Sequence, residues 1–102
     1  MKKITLTIGL FDKDSKRQEV STIDAYKILE NIFTVYTGGA TIFEGRGIYT
    51  HDSGTVVVEP SMICYVYTDS VANAKAAADV IKAVLNQESV AIEVTEVNTE
   101  FY

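Results

Sequence analysis

A chain of 102 residues, 47% hydrophobic and 23% charged, has the make-up of one globular domain near the size at which a single core becomes self-sufficient, which excludes a disordered chain. Its formal net charge of −5 excludes a broad basic surface, and with it general binding of duplex DNA or RNA, while leaving room for a pocket with two or three cations. A single cysteine, Cys64, excludes an intramolecular disulfide, and no segment approaches the roughly 20 apolar residues of a membrane span, so a reducing cytoplasm is the expected location.

Residues Ile4, Leu6, Ile8 and Leu10 alternate with Thr5 and Thr7, the period of a half-buried strand and not the core of a signal peptide. From Phe11 to Val20 the chain is polar and mixed in sign, which reads as a solvated loop carrying Arg17. Ser21 then stands three residues before Asp24, a variant of the capping box, and apolar residues recur at Ile23, Tyr26, Leu29, Ile32, Phe33 and Tyr36. That spacing predicts a helix with one buried face, closed by Gly38-Gly39 in the left-handed conformation of a helix end.

Strand character returns through Thr41, Ile42, Phe43, Ile48 and Tyr49, interrupted by Gly45-Arg46-Gly47, which predicts a bulge or a close approach. His51-Asp52-Ser53-Gly54 reads as a tight turn into Thr55-Val56-Val57-Val58. Glu59-Pro60-Ser61 then predicts a bent or divided strand, since proline donates no hydrogen bond, before apolar Met62 to Tyr67, where Cys64 reads as a packed core thiol. Ser70 is the expected cap of a second helix over Ala72 to Leu85, with Ala74, Ala77, Ala78, Ile81, Val84 and Leu85 inward. Val90, Ile92, Val94 and Val97 predict a last strand.

Two one-faced helices and mostly alternating strands predict a single α+β domain over residues 1–102. It is a two-layer β-α-β-β-α-β sandwich of the ferredoxin-like plan, with a mainly antiparallel sheet and both helices on one face. Phe43, Tyr49, Tyr65 and Tyr67 are large for an open sheet face, so they either fill the core or meet a second copy, and a homo-oligomer through the open face or through added strands is expected.

Catalytic equipment is sparse. His51 is the sole histidine, three consecutive residues His51-Asp52-Ser53 cannot form a triad, and no metal-ligand spacing exists, so neither cofactor, metal nor enzymatic activity is expected. Two constellations have binding chemistry: Phe43 to Tyr49, in which Arg46 lies between glycines and aromatic rings, and Asn86-Gln87, whose amides offer donors and acceptors to a base edge. Alternatively, these are an exposed bulge and a polar helix end.

The succession of Phe43 to Tyr49, Val56-Val57-Val58-Glu59-Pro60-Ser61 and Leu85-Asn86-Gln87-Glu88-Ser89-Val90 resembles a family of small bacterial and phage domains. Leu10 to Ser21 is similar to its phage branch, in particular the Thoeris anti-defence sponge proteins. The resemblance implies a phage anti-defence sponge that sequesters a cyclic nucleotide immune signal, a cyclic ADP-ribose isomer or cyclic oligonucleotide, without cleaving it. It departs at Ile48-Tyr49, where many relatives carry tryptophan. The ligand-binding set expected on residue chemistry and motif position is Arg17, Phe43, Arg46, Tyr49, Asn86 and Gln87. The alternatives are an interaction protein that inhibits a host enzyme, and a small enzyme acting on a nucleotide.

Overall fold

A computed structural model describes all residues, Met1–Tyr102, as β1 (Lys2–Gly9), α1 (Thr22–Thr37), β2 (Thr41–Thr50), β3 (Val56–Thr68), α2 (Val71–Val84) and β4 (Ala91–Glu96). The strands form one antiparallel sheet in the order β2-β3-β1-β4, with β1 and β3 central. The β-α-β-β-α-β ferredoxin-like plan expected from the alternation is the one adopted. Its cause is visible in the register: Leu6 stands beside both Cys64 and Ile92, and Ile4 beside both Val66 and Val94, so the even residues of three strands share the face the helices cover. Against that face pack Leu29 and Phe33 of α1 and Ala74, Ala77 and Ile81 of α2, all within one core cluster. The small alanines let α2 approach the sheet closely. Burial of Cys64 in this layer pushes its thiol pKa up to about 12, so it behaves as a core residue and not as a nucleophile.

Both helices begin on a serine whose hydroxyl accepts a backbone N–H, Ser21 from Asp24 and Ser70 from Asn73, each at 3.1 Å. Helix α1 ends on Gly38, whose φ of 77° only glycine adopts at little cost. Helix α2 ends instead on Asn86 at φ 48°, with the Gln87 N–H donating to the Lys82 carbonyl at 2.9 Å and the Asn86 N–H to that of Ala83. These two bonds close a Schellman turn and aim Asn86 and Gln87 in different directions.

Two sequence expectations are corrected and a third is narrowed to one of its alternatives. Strand β3 runs unbroken through Pro60. The Leu10 N–H donates to the Pro60 carbonyl at 3.0 Å, one residue past the last β1 pair at Gly9↔Ser61, so Pro60 still accepts a bond from the chain beside it and the donor it lacks falls at the very end of that ladder. Strand β2 is likewise unbroken through Gly45-Arg46-Gly47. Gly45 is there because a Cβ would run into the Ile63 side chain, a close approach and not a bulge. Val84, expected inward, is 51% exposed because the last turn of α2 meets the core through Ile81 and Leu85 instead. The loop from Phe11 to Val20 also has more order than expected: Phe11 and Gln18 form an isolated bridge, closed by a turn that places Lys16 at φ 63°.

The register also sets the shape of the molecule. Strand β1 stops at Gly9 opposite Ser61, whereas β2 and β3 continue to pair from Arg46↔Pro60 out to Thr50↔Val56. Those residues form a two-stranded arm, and the molecule is accordingly elongated, 46 × 25 × 22 Å.

Candidate functional site

Where β1 ends and the arm continues, a cavity of about 880 Å³ opens between the arm, the loop after β1 and the segment joining α2 to β4. Each element contributes for a local reason. Thr7 and Gly9 are odd residues of β1 and so face away from the helices; Tyr49, Val57 and Glu59 hold the same face of the arm; Gln87, Glu88 and Ser89 follow the Schellman turn.

Glu59 is one of three carboxylates that line this cavity, with Asp12 and Glu88, and it is held in place. Its Oε2 accepts the Phe11 N–H at 2.8 Å, and the carboxylate lies over Gly9, where an added Cβ would stand 2.6 Å from Oε2. Gly9 is therefore the floor that admits the carboxylate. In a Gly9→Ala variant the methyl displaces the far end of a flexible side chain, so stability is expected to change by less than about 1 kcal/mol while ligand binding falls. Thermal melting alongside ligand titration measures both, and unaltered binding would show that this carboxylate position is not used.

Gln87 supplies a directed acceptor. Its side chain is buried, and Nε2 donates to the carbonyls of Phe11 at 2.8 Å and Leu85 at 3.1 Å. Carbonyls only accept, so the amide nitrogen must face them and Oε1 is left without a protein partner; no side-chain oxygen in the chain is both buried and unpaired, so Oε1 meets solvent, and Gln87 lines the cavity. Tyr49 adds a ring, in edge contact with His51 at 5.3 Å between centroids, and Val56, Val57 and Val58 an apolar wall. Lys13 and Lys16 supply the lysine charges of the lining.

The loop after β1 is held by Asn86. Its Nδ2 donates to Asp12 at 3.0 Å and to Asp14 at 2.8 Å, while its carbonyl accepts the Lys13 N–H at 3.0 Å. The Asn86 amide, then the backbone N–H groups of Ser15 and Asp14, hold the Asp12 carboxyl below its usual pKa.

Of the six residues expected to bind ligand, the structure brings two, Tyr49 and Gln87, to the cavity. Asn86 stands behind it with both amide hydrogens donated to aspartates. Arg17 lies in the exposed loop, where the Glu19 carboxylate at 2.7 Å raises its pKa. Phe43 packs edge-on to Tyr65 on the open sheet face, and Arg46 lies on the opposite face of the arm from Tyr49. Glu59 and Gly9 were missed as site residues. The Glu59-Pro60-Ser61 step stands out through its proline, but the signal for Glu59 is its odd position in the strand, shared with Tyr65 and Tyr67. No group of three or more His, Cys, Asp or Glu side chains is arranged to hold a metal ion.

Fold and site together define a small ferredoxin-like α+β domain with an open cavity at one end of its uncovered sheet face. No protein-family profile matches the chain and no curated protein matches it. Solved structures do. A phage SAM lyase in complex with S-methyl-5'-thioadenosine superposes with a TM-score of 0.72 at 21% identity, covering 99% of this chain and 92% of that one. A phage SAM lyase in the apo state gives 0.66 at 21% identity, over 99% and 91%. The likeness is one of fold across almost the whole of both chains. It corrects the expectation that such a chain is no enzyme, because two solved structures sharing its fold are of a lyase. A missing triad and missing metal ligands exclude only chemistries that need them. No family match accompanies the resemblance to sponge proteins, which rests on its short motifs.

Proposed function

We propose that this protein is an enzyme on an adenosyl small molecule, and that it cleaves the sulfonium SAM (S-adenosylmethionine) without water, giving S-methyl-5'-thioadenosine. The observation that carries the reading is the Glu59 carboxylate, fixed by the Phe11 N–H above Gly9 inside a cavity that also presents the lone acceptor of Gln87. The full-length likeness to phage SAM lyases supports it at the level of fold. A cavity of about 880 Å³ lies in the range of small-molecule sites, roughly 300–1,000 Å³.

The groups divide the substrate among them. Gln87 Oε1 accepts from the exocyclic amine of adenine, the Tyr49 ring packs on the nucleoside, and Glu59 pairs with the α-ammonium. That leaves the α-carboxylate of the substrate free. One of its oxygens attacks the γ-carbon, a C–O bond forms as the C–S bond breaks, and the electron pair passes to sulfur, which leaves as a neutral thioether. The other product is homoserine lactone. Nucleophile and leaving group both belong to the substrate, so no protein nucleophile, water or net proton transfer is needed, in keeping with a site without a triad. Two opposite charges disappear in the step, so surroundings less polar than bulk water, such as the valine side chains provide, favour it.

This reading keeps the nucleotide-derived ligand implied by the sequence resemblance and changes its fate from sequestration to cleavage. Incubation with SAM followed by mass spectrometry tests it. Thioadenosine and lactone, the latter opening to homoserine, are the expected products; SAM recovered intact from folded protein overturns the proposal, and intact SAM retained on the protein would point to sequestration instead.

A further inference from the structure

The hydrogen bonds that tie residues 11–17 to distant parts of the chain run to three residues, Glu59, Asn86 and Gln87. Two of the three carry the recognition chemistry of the cavity, and Phe11 holds both. Its N–H donates to Glu59 Oε2 at 2.8 Å and its carbonyl accepts from Gln87 Nε2 at 2.8 Å. The Phe11 carbonyl and the Asp12 N–H belong to one planar peptide, so the acceptor that fixes Gln87 moves with Asp12. Asp12 in turn is what Asn86 grips.

Asparagine is favoured at the left-handed end of a helix, and φ 48° accounts for the backbone of Asn86 without reference to the cavity. It does not account for the side chain. One amide nitrogen donates to Asp12 Oδ2 at 3.0 Å and to Asp14 Oδ2 at 2.8 Å, across 74 and 72 positions of sequence. Asp12 Oδ1 meanwhile accepts the N–H groups of Asp14 at 2.8 Å and Ser15 at 3.0 Å. The turn is closed on Asp12, and Asp12 is closed on Asn86. Both acceptors of the amide are carboxylates, which form stronger hydrogen bonds than neutral oxygens do.

We infer that Asn86 is a positioning residue of the cavity: by clasping Asp12 and Asp14 it fixes Phe11, and through the two backbone groups of Phe11 it aims the Glu59 carboxylate and the Gln87 oxygen together. The functions of those two groups rest on the proposed reaction with SAM, whereas the clasp does not. One loop residue thereby sets the separation between the group that meets the ammonium and the group that meets adenine. Loosening the clasp disturbs both ends of the substrate at once.

Asn86→Gly separates side chain from backbone. Glycine keeps the left-handed turn and the carbonyl that accepts the Lys13 N–H, and removes only the amide. The melting temperature is expected to move by only a few degrees. Hydrogen exchange at the Phe11 N–H of the ligand-free variant is expected to quicken by about tenfold. With ligand, kcat/KM for SAM is expected to fall by about tenfold, and the Kd of S-methyl-5'-thioadenosine to rise by about threefold or more. The thioadenosine has no ammonium, so Glu59→Gln should leave its binding unchanged; weakening by Asn86→Gly alone marks a residue that acts on both groups. Exchange of the partners supplies a rescue. Asn86→Asp tolerates the same backbone but sets a third carboxylate against Asp12 and Asp14, and is expected to lower kcat/KM further. Adding Asp12→Asn returns one donor and one acceptor to the pair, in exchanged places, and is expected to raise kcat/KM about fivefold or more over Asn86→Asp alone. Unchanged exchange at Phe11, wild-type thioadenosine binding in Asn86→Gly, or a double variant no better than Asn86→Asp would each overturn the inference. A wild type that leaves SAM intact overturns the proposed reaction instead, and exchange at Phe11 still decides the clasp.

Discussion

Replacing Glu59 by glutamine is expected to lower kcat/KM for SAM cleavage by about tenfold to a hundredfold. The basis is the loss of a charged hydrogen bond, about 1.5–3 kcal/mol, at roughly 1.4 kcal/mol per factor of ten. The substrate ammonium keeps its charge from binding to product, so the lost attraction raises KM. The same ammonium sits on the carbon that carries the attacking carboxylate, so a looser grip also lowers kcat by relaxing the line of attack. Glutamine retains an oxygen for the Phe11 N–H, which Glu59 now satisfies at 2.8 Å, and the melting temperature is therefore expected to move by only a few degrees. Alanine would remove that acceptor and cost more stability. Steady-state kinetics with thermal melting separates the two effects, and a glutamine variant of wild-type kcat/KM would remove Glu59 from its assigned place.

The fold was legible because its determinants are periodic. Ile4, Leu6 and Ile8 announce β1 with period two, Leu29, Ile32 and Phe33 announce α1, and Ser21, Gly38 and Ser70 mark helix ends by chemistry that acts within a few residues. The breaks were harder to read. Pro60 looks like an interruption in one dimension but leaves the strand continuous in three, because it falls where the β1 ladder ends. Gly45 signals a close approach, but only the neighbouring strand reveals that Ile63 is the group approaching.

The site was half legible for a related reason. Gln87 and Asn86 are adjacent amides that no propensity distinguishes; the left-handed turn at Asn86 sends one into aspartates and the other between two carbonyls and the cavity. Glu59 is joined to Phe11 across 48 positions of sequence and to Gly9 across a similar span, so neither relation leaves a local trace. Arg46 and Phe43 stood out as binding chemistry and do belong together, on one strand, but at its free edge and open faces and not at the cavity. The expectation of no enzyme failed because it counted residue types that attack substrates, when a substrate can carry its own nucleophile.

Phe33→Ala is the substitution expected to cost the fold most. Phe33 is the largest fully buried side chain, 1% exposed, on the face of α1 that meets the sheet. Truncation of a buried phenylalanine costs about 3–5 kcal/mol, the lost transfer energy plus the cavity left behind. Only 18 of 102 residues are buried, so the total stability belongs near the lower part of the ordinary range of about 5–15 kcal/mol, and the loss is a large share of it. Relaxation is limited on both sides: Leu29 and Ile32 are fixed to the same helix, and the Phe33 carbonyl accepts the N–H groups that close the helix at Gly38 and Gly39, which ties the backbone here to the C-cap. At roughly 4–8 °C per kcal/mol for a domain of this size, the melting temperature should fall by about 12–40 °C. Activity measured well below that temperature should persist, because Phe33 packs in the core and is not among the residues that line the cavity. Circular dichroism melting of the variant checks the first expectation and turnover in the cold the second; a shift of only a few degrees would mean that the helix layer repacks freely around α1, contrary to the tight seating of its neighbours.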